Sequence, residues 1–355
     1  MDLQNSTHLP GNQSDFRNVF TLQVLPPLYL LTCLVGGVLN GVAACIFFRV
    51  PSDSGLVVYL KNMVVADFLM LSTFPFKVAA ELGVGGWRMH VVTCRYTAVL
   101  FYFSMYVGMV FMGFISLERY VKIVRHTSSN TSTCGSKWCS VSKLHLLQSV
   151  DFARVLALLT WVFMLLFVLP NVVFTSNPAN ETNARCCMEL KTKFGLQWHH
   201  FLVYFNKALF WLTLFLLSFC YASIACHLYS SYRRVRREQS DACRKSKRSI
   251  FSLLAVFFVC FVPYHVLRVP YTLNQRAESG FSEDARFWLF QLKEATLFLS
   301  AINVCLDPVI YFLMCRTFRE SLLRKLSGRR RRRRRGGSLT TVQSVTNLGG
   351  VEERR

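Results

Sequence analysis

Seven stretches of this 355-residue chain are apolar for long enough to cross a bilayer. They cover about 25–49, 56–80, 93–123, 152–175, 200–230, 249–274 and 287–314. A spanning helix takes about 20 mostly apolar residues, whereas a barrel strand takes about 9–11. In hydrocarbon only helices and closed barrels satisfy their own backbone groups. The expected fold class is therefore an all-α membrane protein, a seven-transmembrane helix bundle. No repeat relates the two halves, which argues against most secondary transporters. No nucleophile–base pair or metal cluster of usable spacing is present, so the chain is read as neither an enzyme nor a metalloprotein.

Basic residues set the expected orientation. Arg233, Arg234, Arg236, Arg237, Arg244, Lys245, Lys247 and Arg248 lie between runs five and six. More basic residues follow run seven, including the run Arg329–Arg335, whereas residues 1–24 carry only Arg17. The N-terminus is then outside, the tail inside, and the net charge of +22 is mostly cytoplasmic. Residues 1–24 lack the apolar core of a signal peptide, so the first span is expected to act as its own insertion signal. Sequons at Asn5, Asn12 and Asn180 fall outside and are candidate glycosylation sites. The expected organisation is an extracellular head (1–24), a seven-transmembrane bundle (25–315), an interfacial helix (316–326) and a basic disordered tail (327–355). In the short helix, Phe318, Leu322, Leu323 and Leu326 fall on one side. The tail follows a membrane helix, so Arg329–Arg335 is expected to meet anionic inner-leaflet lipid, with no nucleic-acid partner.

Most of the thirteen cysteines lie in the spans. Cys94 opens run three on the outer side, and Cys186 and Cys187 lie in the loop between runs four and five. One external disulfide from Cys94 to that loop is expected, with either partner open on these grounds.

Polar residues also recur inside the spans, and such groups must find partners within the bundle. Asn40, Asp67, Glu118-Arg119-Tyr120, Trp161, Asn303 and Asp307-Pro308-x-x-Tyr311 stand in order on the apolar runs. With Cys94 and Pro263, they make residues 22–326 resemble the rhodopsin-like G-protein-coupled receptors. The resemblance implies a plasma-membrane receptor in which Glu118, Arg119 and Tyr120 serve G-protein coupling. It also implies that Asn40, Asp67, Asn303, Asp307 and Tyr311 form a polar network, with a sodium ion expected near Asp67 and Asp307. This chain has Asp307 where the commoner residue is Asn, and Gly108 where a serine is common.

A narrower resemblance rests on Phe257–His265 (FFVCFVPYH), Arg268-Val269-Pro270-Tyr271-Thr272, Thr73-Phe74-Pro75-Phe76-Lys77, Leu169-Pro170-Asn171, Gly195–His199 (GLQWH) and Lys293–Ser300 (KEATLFLS). These are similar to the nucleotide receptors of the ADP and UDP-sugar branch. Counting back from His199, the resemblance assigns Cys187 as the partner of Cys94. It further implies a nucleotide or nucleotide-sugar pocket lined by Tyr102, Tyr106, Asn171, His199, His265, Arg268, Tyr271, Gln275 and Lys293. Coupling to an inhibitory G protein is implied in the same way. Ser338, Thr340, Thr341, Ser344 and Thr346, after the arginine run, are candidate phosphorylation sites whose added charge would dock arrestin. Val203 and Asn206 depart from the ADP-type pattern.

The residues themselves support an anion site. His265, Arg268, Thr272 and Gln275 are spaced i, i+3, i+7 and i+10, so they share a helix face. An arginine in a membrane span costs roughly 2.5–3.5 kcal/mol on insertion scales and needs a partner. Its planar fork suits phosphate. The partner could instead be a carboxylate such as Glu294, and Lys293 could snorkel to headgroups. The phosphate of a lysophospholipid would suit the same cations.

Overall fold

The computed structural model describes residues 18–49, 51, 53–129, 149–181, 184, 187–234, 240–274, 280–325 and 327. Seven helices within it are long and apolar enough to cross a membrane. They are α1 (Phe20–Phe47), α2 (Gly55–Glu81), α3 (Gly86–Ile123), α4 (Val150–Val173), α5 (Lys193–Cys226), α6 (Phe251–Leu273) and α7 (Glu283–Met314). A short α8 follows over 316–325. Asn5, Asn12, Cys186, Gln275, Leu326 and Arg329–Arg335 lie outside the described residues.

Local chemistry sets the helix starts. The Asn18 side chain accepts from the Thr21 N–H (3.2 Å), while the Thr21 hydroxyl accepts from the Asn18 N–H (3.1 Å). This reciprocal cap starts α1 at Phe20, five residues before the apolar run expected from 25. Gly85, at φ +81°, turns the chain into α3 at Gly86, ahead of the expected 93. Ser149 and Ser282 cap α4 and α7 by accepting from Phe152 N–H and Ala285 N–H, both at 3.3 Å. Prolines 75, 170, 263, 270 and 308 lie within the spans, a burden that neighbouring helices allow in membranes.

The core runs along α3, which packs against α2, α4 and α5. Phe111, Met112, Ile115, Leu60, Phe257 and Phe261 are fully buried there. Trp161 of α4 donates to Asn62 Oδ1 of α2 at 2.8 Å. α8 is held by Phe318, which is buried and stacked on Phe47 at 5.0 Å. Leu322 packs on the same core, whereas Leu323 is half exposed and turns away from it.

One end of the bundle is closed by the α4–α5 loop. A disulfide from Cys94 to Cys187 pins it to α3. Arg95 donates to the Asn177 carbonyl at 2.6 Å, and Asn177 in turn donates to the carbonyls of Glu189 and Lys191. Gly195 lets the start of α5 pass this loop: a Cβ there would lie 2.5 Å from the Phe174 carbonyl oxygen. Asn180 is exposed on the same loop.

Candidate functional site

Beneath that loop lies a cavity of about 650 Å³. This falls within the range of small-molecule sites, about 300–1,000 Å³. Five cationic side chains line it (Lys77, Lys191, Lys207, Arg268, Lys293) against three carboxylates (Glu81, Glu181, Glu294).

Arg268 stands inside a ring of tyrosines. Its guanidinium lies 5.9 Å from the rings of Tyr102 and Tyr264 and 6.0 Å from that of Tyr271. It donates to the Tyr264 hydroxyl at 3.1 Å, and that hydroxyl donates onward to Tyr102 at 3.2 Å. No carboxylate lies within ion-pair distance of Arg268 among the described residues. A guanidinium has five N–H donors, so most of its bonding capacity is open to the cavity.

Glu294 is spent elsewhere. Its carboxylate pairs with Lys293 on one side and with Lys77 of α2, 3.4 Å away, on the other. The alternative in which Glu294 neutralises Arg268 is thus not what the structure shows. Lys293 also lies over the rings of Phe290 (4.8 Å) and Tyr271 (5.1 Å), and points inward rather than snorkelling to an interface.

His265 lines the cavity wall but is internally satisfied. Nδ1 donates to the Phe261 carbonyl at 2.8 Å, which leaves Nε2 to accept from the Tyr106 hydroxyl at 3.1 Å. Its ring stacks on Phe210 at 3.9 Å. His265 and Tyr106 therefore lock α3, α5 and α6 together and offer a ligand little free hydrogen-bonding capacity. His199 lines the cavity too, with its buried Nδ1 unpartnered.

Sequence reasoning missed Lys191. Its neighbours Met188–Thr192 read as an ordinary polar loop. In the fold it is only 6% exposed, and its ammonium donates to Asn171 Oδ1 and Thr175 Oγ1, both at 2.9 Å. Burial pulls its pKa down to about 8. Asn171, expected to meet a ligand directly, reaches the cavity with its carbonyl already engaged. Lys77 was missed as well, although a charge within an apolar run is the signal that exposed Arg268.

Farther down the bundle, Asp67 accepts from the Tyr311 hydroxyl at 2.7 Å. Asn40 donates to the Val304 and Gly36 carbonyls at 2.7 and 3.0 Å, and Asn303 donates to Asp307 Oδ2 at 3.5 Å. Asn303 Oδ1 and Asp307 Oδ1 are buried without a protein partner. At the far end, Glu118 is buried with Oε2 4.0 Å from Arg119 Nε, and Arg119 donates to the Met314 carbonyl of α7. Tyr221 and Ser116 bond at 3.0 Å one turn away.

Seven membrane-length helices, a ligand-sized cavity under a disulfide-pinned loop, and a charged arginine tethered at the opposite end define a heptahelical receptor. The sequence matches the family described as 7 transmembrane receptor (rhodopsin family) over residues 40–311, and the chain belongs to that family. It is a multi-pass plasma-membrane receptor, not a member of an enzyme family. It is similar to purinoceptor 14 of Bos taurus, at 40% identity over 91% of each chain. It is also similar to G-protein coupled receptor 87 of Mus musculus (38%, over 94% of this chain and 88% of the relative). Purinoceptor 13 of Homo sapiens is 35% identical over 91% of this chain and 88% of its own.

Proposed function

We propose that the chain is a receptor for an extracellular nucleotide or nucleotide sugar that signals through an inhibitory G protein. The observation that carries this is Arg268, a guanidinium caged by three tyrosines with no carboxylate partner among the described residues, beside two lysines that share a single carboxylate. Such a cavity is short of negative charge, and a diphosphate supplies it in a form that matches a planar fork. Relatives named purinoceptors support the reading.

The loop bearing Asn180 faces the exterior in this reading, and the basic segments between α5 and α6 and after α7 face the cytoplasm. Binding draws α6 and α7 together around the phosphates. It acts on signalling only through its different affinity for two arrangements of the bundle. Arg119, released from the Met314 carbonyl, is then available to a G protein. Arrestin at a phosphorylated tail and anionic lipid at Arg329–Arg335 complete the proposed cytoplasmic partners. Two buried acceptor oxygens without donors, Asn303 Oδ1 and Asp307 Oδ1, fit a sodium ion held with Asp67, which would supply positive charge between the two aspartates.

The test is G-protein activation by ADP, UDP, UDP-glucose and a lysophospholipid. It uses wild type and Arg268→Ala at matched surface expression. A nucleotide response that the substitution abolishes supports the reading. Silence to all nucleotides, or a lipid response indifferent to Arg268, sinks it.

A further inference from the structure

The α4–α5 loop that closes the cavity also carries an acceptor sequence for modification at the cavity's edge. The lining reaches Thr21 at the start of α1, Glu81 at the end of α2 and Trp87 at the start of α3. From the loop it takes in Glu181, which is exposed. The mouth therefore opens between these helix ends and Glu181. Glu181 is the middle residue of Asn180-Glu181-Thr182, an acceptor sequence for an N-linked glycan. Asn180 is exposed, and its carbonyl accepts at 3.0 Å from the N–H of Ala184, which is buried in the cavity wall. Three residues earlier the chain is tied down. The Asn177 carbonyl accepts from Arg95 of α3, and its N–H donates to the Leu190 carbonyl at 3.1 Å. The Cys94–Cys187 disulfide lies on the other side, so Asn180 stands between two ties to α3.

A glycan is bulky and solvated, so it stays out of the bundle and spreads over the surface around its attachment point. A chain on Asn180 is held by a tied segment and cannot swing clear of the mouth, because the next residue forms the rim. We propose that Asn180 carries an N-linked glycan that screens the mouth of the ligand cavity and sets the rate at which ligands pass. The glycan contacts neither the cavity interior nor the bound ligand. Such a screen slows entry and exit by the same factor and leaves equilibrium affinity unchanged, since only a difference in affinity between two states moves an equilibrium. This rests on the outward-facing loop of the proposed function, but not on a nucleotide as the ligand.

The test uses the full-length receptor in cells. With Asn5→Gln and Asn12→Gln in place, peptide N-glycosidase should still shift its mobility, and Asn180→Gln or Thr182→Ala should abolish the shift. For passage, Val203→Cys sets a thiol on the cavity wall in a Cys186→Ser background. An impermeant fluorescein maleimide reports its labelling rate, and a receptor without Val203→Cys gives the background. Both sequon variants should label about threefold faster or more than the glycosylated receptor. Association and dissociation rates of radiolabelled UDP or ADP should rise together, with Kd held within about twofold. No glycan at Asn180, equal labelling rates, or an effect of Asn180→Gln that Thr182→Ala does not reproduce overturns the proposal. So does a larger change in Kd, because the site would then shape the cavity rather than screen it. A missing glycan at Asn180 with Asn5 and Asn12 occupied leaves the outward loop standing. If neither nucleotide binds while labelling still accelerates, the nucleotide reading falls and this one stands.

Discussion

The upper cavity and the mid-bundle network are both polar, but they settle their charges differently. Around Asp67, each strong donor found among the described residues has an acceptor: Tyr311 meets Asp67, and Asn40 meets two backbone carbonyls. What remains there is spare acceptor oxygen. Around Arg268 the imbalance has the opposite sign, with spare donors and too few carboxylates. A buried polar group left unpaired costs about 1–3 kcal/mol, more if charged. Spare donors lining a 650 Å³ cavity therefore point to an anionic visitor, whereas spare acceptors in a packed interior point to a small cation or a rearrangement.

The largest expected effect breaks the upper half of that contrast. Arg268→Ala removes the charge and the fork at once. With charge-assisted hydrogen bonds contributing about 1.5–3 kcal/mol each, losing two lowers nucleotide affinity by about 100-fold or more. Arg268→Lys keeps the charge but not the planar geometry, so it should recover only part of the loss in a competition assay. Full recovery by lysine would mean that the cavity reads charge alone.

Glu294 sharpens the comparison from the other side. It is the carboxylate shared by Lys77 and Lys293. Glu294→Gln frees two ammonium groups and makes the cavity more positive. A diphosphate should bind roughly three- to tenfold tighter, and the ligand-free receptor should melt earlier. Weaker binding in the variant would show that Glu294 positions Lys293 or touches the ligand itself.

Much of this contrast was not legible in the sequence. The seven helices were, because apolar runs of this length have few alternatives; their starts shifted where Asn18 and Gly85 set caps and turns that apolarity does not report. Arg268 was legible because a lone charge in a span must be explained. The partners that define its state were not. Tyr102 and Tyr264, or Tyr106 and His265, are about 160 residues apart, and their meeting depends on how α3 and α6 cross. A still longer separation, 217 residues, hid the Lys77–Glu294 pair, and loop folding hid the burial of Lys191. His265 shows the reverse problem: its spacing placed it with Arg268 on the cavity wall, but spacing does not reveal that both nitrogens are satisfied.

Lys191 gives a smaller, pH-dependent effect. In the free receptor its ammonium is present below pH 8 and lost as pH rises through about 8. A bound anion favours the charged form and raises that pKa. Nucleotide affinity should therefore be full near pH 7 and fall several-fold by pH 9, by no more than about tenfold per pH unit. Lys191→Gln should bind more weakly at pH 7 and lose this dependence. A pH profile that is the same in both proteins would assign the dependence to another group.

The smallest effect on ligand affinity belongs to the mid-bundle, and it is the one that tests whether the two regions are separate devices. Tyr311→Phe removes the hydroxyl that Asp67 accepts from and leaves a buried carboxylate short of its donor. Stability should drop by about 1–3 kcal/mol, read as a lower melting temperature of the purified receptor. No atom of the upper cavity changes, so affinity for an antagonist that does not discriminate between bundle arrangements should stay within about threefold. G-protein activation at saturating agonist should change, because the hydroxyl joins α7 to α2. If antagonist affinity shifted as much as activation, the contrast between an anion-seeking cavity and a self-contained network would fail. The two would then be one continuous polar channel, with ligand and network competing for the same charges.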